Sequence, residues 1–227
     1  MDASYFYDRL YPLQDDILRL LSIIETGFYL SGGTAASRGY LGHRFSDDLD
    51  LFVNDNPSFG LWSSRVIDRL ASHPAWVTRV LLREARFVRI EVHASPVILK
   101  IEMINDVPSH VGSITVHPTL GRLDSAENIL ANKLTALADR EEPKDVADIW
   151  GFCCRMGMPI GAALDNADSK AAGLFPPDLA RRLLGTTIDD WRLVRWIDAP
   201  VPTAYLADLR RVGEELLLLP PRRSATF

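Results

Sequence analysis

The stretch Leu30-Ser31-Gly32-Gly33-Thr34-Ala35, followed by Ser46-Asp47-Asp48-Leu49-Asp50-Leu51, decides how this chain is read. The two glycines end the apolar run Phe28-Tyr29-Leu30 and lead into a helical stretch beginning near Thr34. The first N–H groups of a helix have no partner within it and carry partial positive charge, so this turn suits a phosphate. Asp48 and Asp50 stand two apart on an apolar strand predicted over 48–53. Side chains at i and i+2 of a strand share a face, so these carboxylates are expected to project together. Like charges held that close repel unless a cation lies between them. All-oxygen ligation suits Mg²⁺, which usually completes its shell with water and substrate phosphates. A phosphate cradle beside a metal-binding carboxylate pair equips a protein for phosphoryl or nucleotidyl transfer. Asp47 has the opposite parity and is assigned to the other face of the strand, in a solvent or structural role.

The rest of the chain is compatible with that chemistry. At 227 residues it can bury a substantial core, as one large domain or two small ones. Its 47% hydrophobic and 24% charged residues are ordinary for a soluble globular protein. The longest apolar runs fall well short of the roughly 18 residues of a membrane span. The start Met1-Asp2-Ala3-Ser4-Tyr5 lacks the basic-then-apolar layout of a signal peptide, so a cytoplasmic setting is expected. Cys153 and Cys154 are adjacent and stand apart from any zinc spacing, so they read as reduced helix residues. His43 has no second histidine at ligand spacing and reads as a turn residue. A net charge of −5 gives the whole molecule no nucleic-acid footprint. Locally, Arg79, Arg83, Arg86, Arg89 and Lys100 outnumber Glu84 and Glu91, which reads either as the solvated face of a sheet or as a contact for a polyanion.

Periodicity predicts a helix over 12–25, a strand over 27–31, a helix over 34–41 and another over 58–71. Three β-rich runs follow at 76–82, 87–93 and 97–104, the last two with clear alternation. After a short strand near 114–116 the pattern turns helical. Asp124 with Glu127 resembles a capping box at the start of a helix over 125–138. Pro143 opens a second helix over 143–156, and others are predicted over 159–168, 176–185 and 203–219. The division expected is a mixed α/β half at 1–120 and a helical half at 121–227. Gly39 weakens the helix behind the glycine turn and leaves its geometry open.

Two blocks resemble a known family. The first runs from Leu30-Ser31-Gly32-Gly33-Thr34-Ala35 through Tyr40-Leu41-Gly42-His43-Arg44-Phe45-Ser46-Asp47-Asp48-Leu49-Asp50-Leu51-Phe52. The second is Asn128-Ile129-Leu130-Ala131-Asn132-Lys133-Leu134-Thr135-Ala136-Leu137 with Arg140, then Lys144-Asp145-Val146-Ala147-Asp148-Ile149-Trp150. In this order and spacing they resemble the AbiEii/AbiGii toxin family of nucleotidyltransferases, within the DNA polymerase β-like superfamily. The resemblance implies an α+β class: a polymerase β-like nucleotidyltransferase fold with a mixed sheet, then a C-terminal helical region that completes the active site. It also implies a Mg²⁺-dependent transfer of a nucleotide from a nucleoside triphosphate to an RNA, such as tRNA, or to a protein acceptor. The biological setting implied is a toxin–antitoxin or phage abortive-infection pair with a cognate antitoxin. Two other functions fit the residues: a small-molecule nucleotidyltransferase of the aminoglycoside-modifying type, and a non-catalytic nucleotide- or protein-binding module that keeps the scaffold.

The residues assigned to this chemistry follow. Asp48 and Asp50 form the metal pair, for one or two ions. The superfamily usually adds a third carboxylate on a neighbouring strand. Glu102 in Leu99-Lys100-Ile101-Glu102-Met103 is the better placed, with Glu91 its rival; a cross-strand salt bridge explains either equally well. Gly32, Gly33 and Thr34 form the phosphate turn, Thr34 being also a natural helix cap. Arg44 and Ser46 lie in the family segment ahead of the carboxylates, as phosphate contacts or as structural partners. Lys133 falls on the apolar stripe Ala126, Ile129, Leu130, Leu134, Leu137, where an ammonium either snorkels to water or points at an anion. The resemblance gives it triphosphate contact. It places a functional acid at Asp145, to orient Lys133 or Arg140 or to act as a base, and less strongly at Asp148. Both aspartates share a helix face, and opposition to the helix dipole alone also accounts for Asp145.

Overall fold

The computed structural model describes residues 3–171 and 174–219, and the alternation read in the sequence becomes a mixed seven-stranded sheet. The strands are β1 (Tyr29–Ser31), β2 (Leu49–Asn54), β3 (Val77–Arg83), β4 (Phe87–Ala94), β5 (Val97–Asp106), β6 (Thr115–His117) and β7 (Gly121–Leu123). Their order across the sheet is β3-β4-β5-β2-β1-β7-β6. The β2–β5 and β1–β7 pairs are parallel and the remaining pairs antiparallel. One face is apolar: Val88, Ile90 and Val92 of β4, Leu99, Ile101 and Met103 of β5, and Leu49, Leu51 and Val53 of β2 are buried. Each such side chain contributes about 1.5–3 kcal/mol on leaving water. The alternate positions, including Arg89, Glu91, Lys100, Glu102 and Asp50, form a polar face.

Helix α1 (Ala3–Tyr5) runs through a π-helical segment, Phe6–Leu10, into α2 (Tyr11–Ser22). Both α2 and α4 (Phe59–Ala71) pack on this sheet. Between them, α3 (Gly32–Thr34) continues as a π-helical segment over Ala35–Leu41. Gly39 has a packing role in that segment. A Cβ there would come within 2.8 Å of Leu123 Cδ2, so the glycine lets the helix lie close on β7.

By contacts the chain divides into two units within helix α5 (Ala126–Asp139). The first takes residues up to Ile129 together with Trp196–Asp198, and the second takes Leu130–Arg195 and the residues from Ala199 onward. The second unit is helical, with α6 (Pro143–Trp150) extended by a π-helical segment at Gly151–Arg155. After it come α7 (Ile160–Asp168), α8 (Pro176–Leu184), α9 (Ile188–Leu193) and α10 (Pro202–Leu218). Helix α10 contacts α6, α7, α8 and α9, and its Tyr205, Leu209, Val212 and Leu216 are buried. The Trp150 indole donates to Asp208 at 2.9 Å and meets the Tyr205 ring edge-on. Cys153 and Cys154 are free thiols whose burial pushes them up to about 12 and about 11, so both stay protonated near neutrality. Among the described residues no helix is long and apolar enough to cross a membrane.

Several details depart from the sequence. Strand β2 starts at Leu49, so Asp48 lies one residue ahead of the strand and Asp50 lies on it. The cap of α5 is Ser125, whose hydroxyl accepts from Asn128 N at 3.0 Å; Asp124 instead becomes a buried hub. Strand β7 and helix α9 had no predicted counterpart. Much of the basic excess on the strands is spent on ion pairs within the first unit: Arg86 with Asp55, Arg89 with Glu102, Lys100 with Asp48 and Glu102. A solvated, internally paired face accounts for it.

Candidate active site

Gly32 adopts φ +65°, a left-handed conformation that costs an L-residue roughly 1–2 kcal/mol. A Cβ at Gly32 would also overlap the Asp50 carboxylate, so the turn and that side chain are in direct contact because residue 32 has no side chain. At Gly33 a Cβ would approach Arg44 Nη2 to 2.9 Å and Ser46 Oγ to 3.0 Å. Arg44 and Ser46 are buried beneath the turn, and Arg44 Nη1 donates to Phe45 O at 3.0 Å. Thr34 Oγ1 donates to the carbonyl of Asp48 and accepts from the Ser46 hydroxyl at 3.0 Å. Gly32, Gly33, Thr34, Arg44, Ser46 and Asp50 therefore form one continuous patch, which ties the turn to the segment carrying the carboxylates.

The register of the strands adds the next layer. Ser31 on β1 lies opposite Asp50, Asp50 opposite Glu102 on β5, and Glu102 opposite Arg89 on β4. Partners in register present their side chains on the same face, so Asp50 and Glu102 share one row across the sheet. Arg89 Nε donates to Glu102 Oε1 at 2.8 Å. Glu91 lies on the next row, opposite Lys100, and pairs with His93 Nε2 at 2.9 Å. Lys100 reaches Asp48 Oδ2 at 2.9 Å and Glu102 Oε1 at 3.3 Å. Burial disfavours its charge, but hydrogen bonding and attraction to Asp48, with help from Glu102, raise its pKa above the usual lysine value. Among the described residues no three His, Cys, Asp or Glu side chains converge as a finished metal cluster. The donor set nevertheless suits a hard divalent ion: it is all oxygen, and a cation, the Lys100 ammonium, already stands between two of its members.

Three supports of this patch were not assigned to it from the sequence. Gln14 of α2 is fully buried, and its amide donates to Asp47 O at 3.0 Å and Ser46 O at 3.4 Å. Arg38 donates to Gln14 Oε1 at 2.9 Å and to Asp15 at 2.6 Å, which fixes the Gln14 amide. Segment Trp196–Asp198 returns to the first unit, where Trp196 bridges Arg44 and Ile197 N donates to His43 O at 2.9 Å. Asp124, fully buried, accepts from Ser31 Oγ, Asn128 Nδ2 and Ser125 N and pairs with His110 at 2.9 Å. It thereby pins the residue just before the glycine turn.

In the second unit Lys133 Nζ sits 2.6 Å from Asp145 Oδ1 and 2.7 Å from Asp148 Oδ2, and Arg140 Nε lies 2.9 Å from Asp145 Oδ2. Both aspartates are fully buried. Burial opposes ionisation of Asp145, but Lys133 and then Arg140 hold its carboxyl below the usual carboxylate range. Lys133 thus neither snorkels free nor stands alone: both carboxylates of the block converge on it.

Comparison with known proteins bears on both arrangements. Residues 17–167 match the model of the family described as nucleotidyl transferase AbiEii toxin, type IV TA system. The chain belongs to the AbiEii toxin family. Both the glycine–carboxylate patch and the Lys133 cluster fall within the matched span. The AbiEii chain is also 32% identical over 139 residues to the uncharacterized protein aq_aa25 of Aquifex aeolicus (strain VF5). That match takes in 59% of this chain and 61% of the relative, so it spans under two thirds of that protein's length. Among solved structures, the AbiEii fold resembles MenT4, a nucleotidyltransferase toxin from Mycobacterium tuberculosis H37Rv. The TM-score is 0.64 at 19% identity, covering 93% of this chain and 84% of that one. It also resembles JHP933 from Helicobacter pylori, with a TM-score of 0.57 at 18% identity and 92% of each chain covered. The likeness to MenT4 shows the α+β nucleotidyltransferase fold expected from the sequence.

Proposed function

We propose that this protein is a Mg²⁺-dependent nucleotidyltransferase that moves a nucleoside monophosphate from a nucleoside triphosphate onto a hydroxyl of an RNA acceptor. It would act as the toxin of a type IV toxin–antitoxin pair, with a cognate antitoxin encoded alongside. The observation that carries this is the contact of the Gly32 turn with Asp50, itself in register with Glu102. The hydroxyl oxygen attacks the α-phosphorus and gives up its proton to water as the new P–O bond forms, and the bond to pyrophosphate breaks, releasing pyrophosphate. The Gly32-Gly33-Thr34 turn, with Arg44 and Ser46 beneath it, receives phosphate oxygens and fixes the α-phosphate for in-line approach. Asp48, Asp50 and Glu102 would hold the metal, which when bound supplies Lewis-acid stabilisation of charge on the phosphate oxygens. Lys133, with its ammonium fixed by Asp145 and Asp148, is assigned to the charge of the triphosphate, and Asp145 to keeping it in place. Support for that pair comes from the family block and from the convergence of both carboxylates on one ammonium.

The test is incubation with Mg²⁺, each α-labelled triphosphate in turn, and total RNA. Magnesium-dependent label in RNA is the expected result. Label appearing only on protein, or only when an aminoglycoside is supplied, would replace the acceptor assignment. Absence of magnesium-dependent triphosphate binding by calorimetry would leave a non-catalytic scaffold.

A further inference from the structure

We propose that Lys100 is a positioning residue that serves as an exchangeable internal counter-cation. Its ammonium holds Asp48 and Glu102 together until a divalent ion takes its place. This inference rests on the metal assignment above and assigns a role to a residue that assignment leaves unused.

Three observations and one electrostatic argument converge on it. Lys100 Nζ is within ion-pair distance of both carboxylates, at 2.9 Å from Asp48 and 3.3 Å from Glu102, so it lies where a cation between them must lie. Without any cation the two carboxylates would repel, and the segment ahead of β2 would lose its hold on β5. Glu102 keeps a second partner, Arg89 Nε at 2.8 Å, so it stays anchored when the lysine leaves. The Lys100 side chain is 38% exposed, which gives its four-carbon stem a path to solvent.

A withdrawing ammonium also has somewhere to go. Glu91 lies directly opposite Lys100 across the β4–β5 pair, so both side chains are on the same face. Directly opposed Cβ atoms lie about 4.5–5.5 Å apart, which long side chains span easily. Glu91 and its partner His93 keep 29% and 24% side-chain exposure, so Glu91 can accept a second cation while staying partly solvated. The two candidate third carboxylates thereby take different roles: Glu102 stays with the metal and Glu91 receives the displaced lysine.

The experiment titrates Mn²⁺ into the full-length wild type, Lys100→Met and Glu91→Gln, following free Mn²⁺ by electron paramagnetic resonance. Competition for the carboxylates should weaken wild-type binding, so Lys100→Met is expected to bind about tenfold more tightly. Glu91→Gln, which removes the landing place, is expected to bind more weakly than wild type. In the absence of metal, Lys100→Met should melt below wild type, with the gap closed by millimolar Mg²⁺. Should Lys100→Met prove insoluble, Lys100→Gln makes the same comparison. Equal or weaker Mn²⁺ binding by the Lys100 variant, with binding by wild type intact, overturns the exchange and leaves the metal site standing. No binding by any of the proteins overturns both together.

Discussion

Lys100 and Lys133 each bridge two carboxylates, yet the Lys100 side chain is 38% exposed and that of Lys133 is 8% exposed. The partners differ in the same sense. Asp48 and Glu102 keep 34% and 18% side-chain exposure, whereas Asp145 and Asp148 have none. An ion pair near water is worth little and is easily exchanged. A buried one is costly to break, because the group left behind is a charge without a solvent shell. The same three-charge arrangement therefore leaves a loosely held ammonium in the sheet and a firmly held one in the helical unit.

Substitution at each site should separate the two behaviours. The largest effect is expected at the metal pair. Asp48→Ala should reduce nucleotide transfer by about a thousandfold or more, since each tenfold corresponds to about 1.4 kcal/mol of lost stabilisation. Its melting temperature should fall only slightly, because the variant loses the Lys100 contact together with the Asp48–Glu102 repulsion that the contact offsets. Unchanged turnover in a folded variant would refute the metal assignment.

Lys133→Met should strike the fold as well as transfer. Two buried carboxylates lose their shared partner, and chemical denaturation should show a loss of about 3–5 kcal/mol. A loss under about 1 kcal/mol, the range of an exposed pair, would mean that Asp145 and Asp148 are satisfied without the lysine, and the two sites would then behave alike.

Gly32→Ala tests the joint between turn and carboxylate. The left-handed φ alone costs about 1–2 kcal/mol, and the added methyl must push Asp50 out of place. Transfer should fall together with stability, whereas an alanine at the exposed Gly42, whose Cβ would meet nothing within 4 Å, should cost stability alone.

The pH dependence gives the smallest effect. The Asp145 carboxyl is held below its ordinary value by Lys133 and Arg140 despite burial. A depressed native pKa means that the unfolded state binds the proton first. The stability from ionised Asp145 is thus fully present above the unfolded value of about 3.9, and is lost as pH falls through the lower native pKa. Asp145→Asn should be less stable at neutral pH and should lose less on further acidification. Parallel acid limbs for the two proteins would show that Asp145 is not the group responsible.

These contrasts also show what the sequence could disclose. The carboxylate pair, the glycine turn and the Lys133 block were legible because each breaks a local pattern. Glycines interrupt an apolar run, acids sit inside an apolar strand, and a lysine lies on a buried stripe. The sheet's long strands were legible because alternation in Phe87-Val88-Arg89-Ile90-Glu91-Val92 persists over several residues. Strand β7 was not, because three residues cannot display a period. Gln14 was invisible for a different reason. A glutamine in an amphipathic helix looks solvated, and only the tertiary fold turns its amide onto the backbone of Ser46 and Asp47. Asp124 suggested a capping acid, but burial and four separate partners make it a hub, and its neighbour Ser125 does the capping. Lys100 read only as one of a basic set, a solvated sheet face or a polyanion contact, since nothing local announces that β2 will lie parallel to β5 and bring Asp48 to it.

The most direct test of the central claim is transfer of α-labelled nucleotide to total RNA by Asp50→Asn beside wild type at saturating Mg²⁺. The amide keeps the shape of the side chain against Gly32 while removing the charge proposed to hold the divalent ion. Magnesium-dependent label with wild type, and none above background with the folded Asp50→Asn variant, is the predicted result. Equal labelling by both proteins would contradict it, because the chemistry would then not need the carboxylate row on the polar face of the sheet.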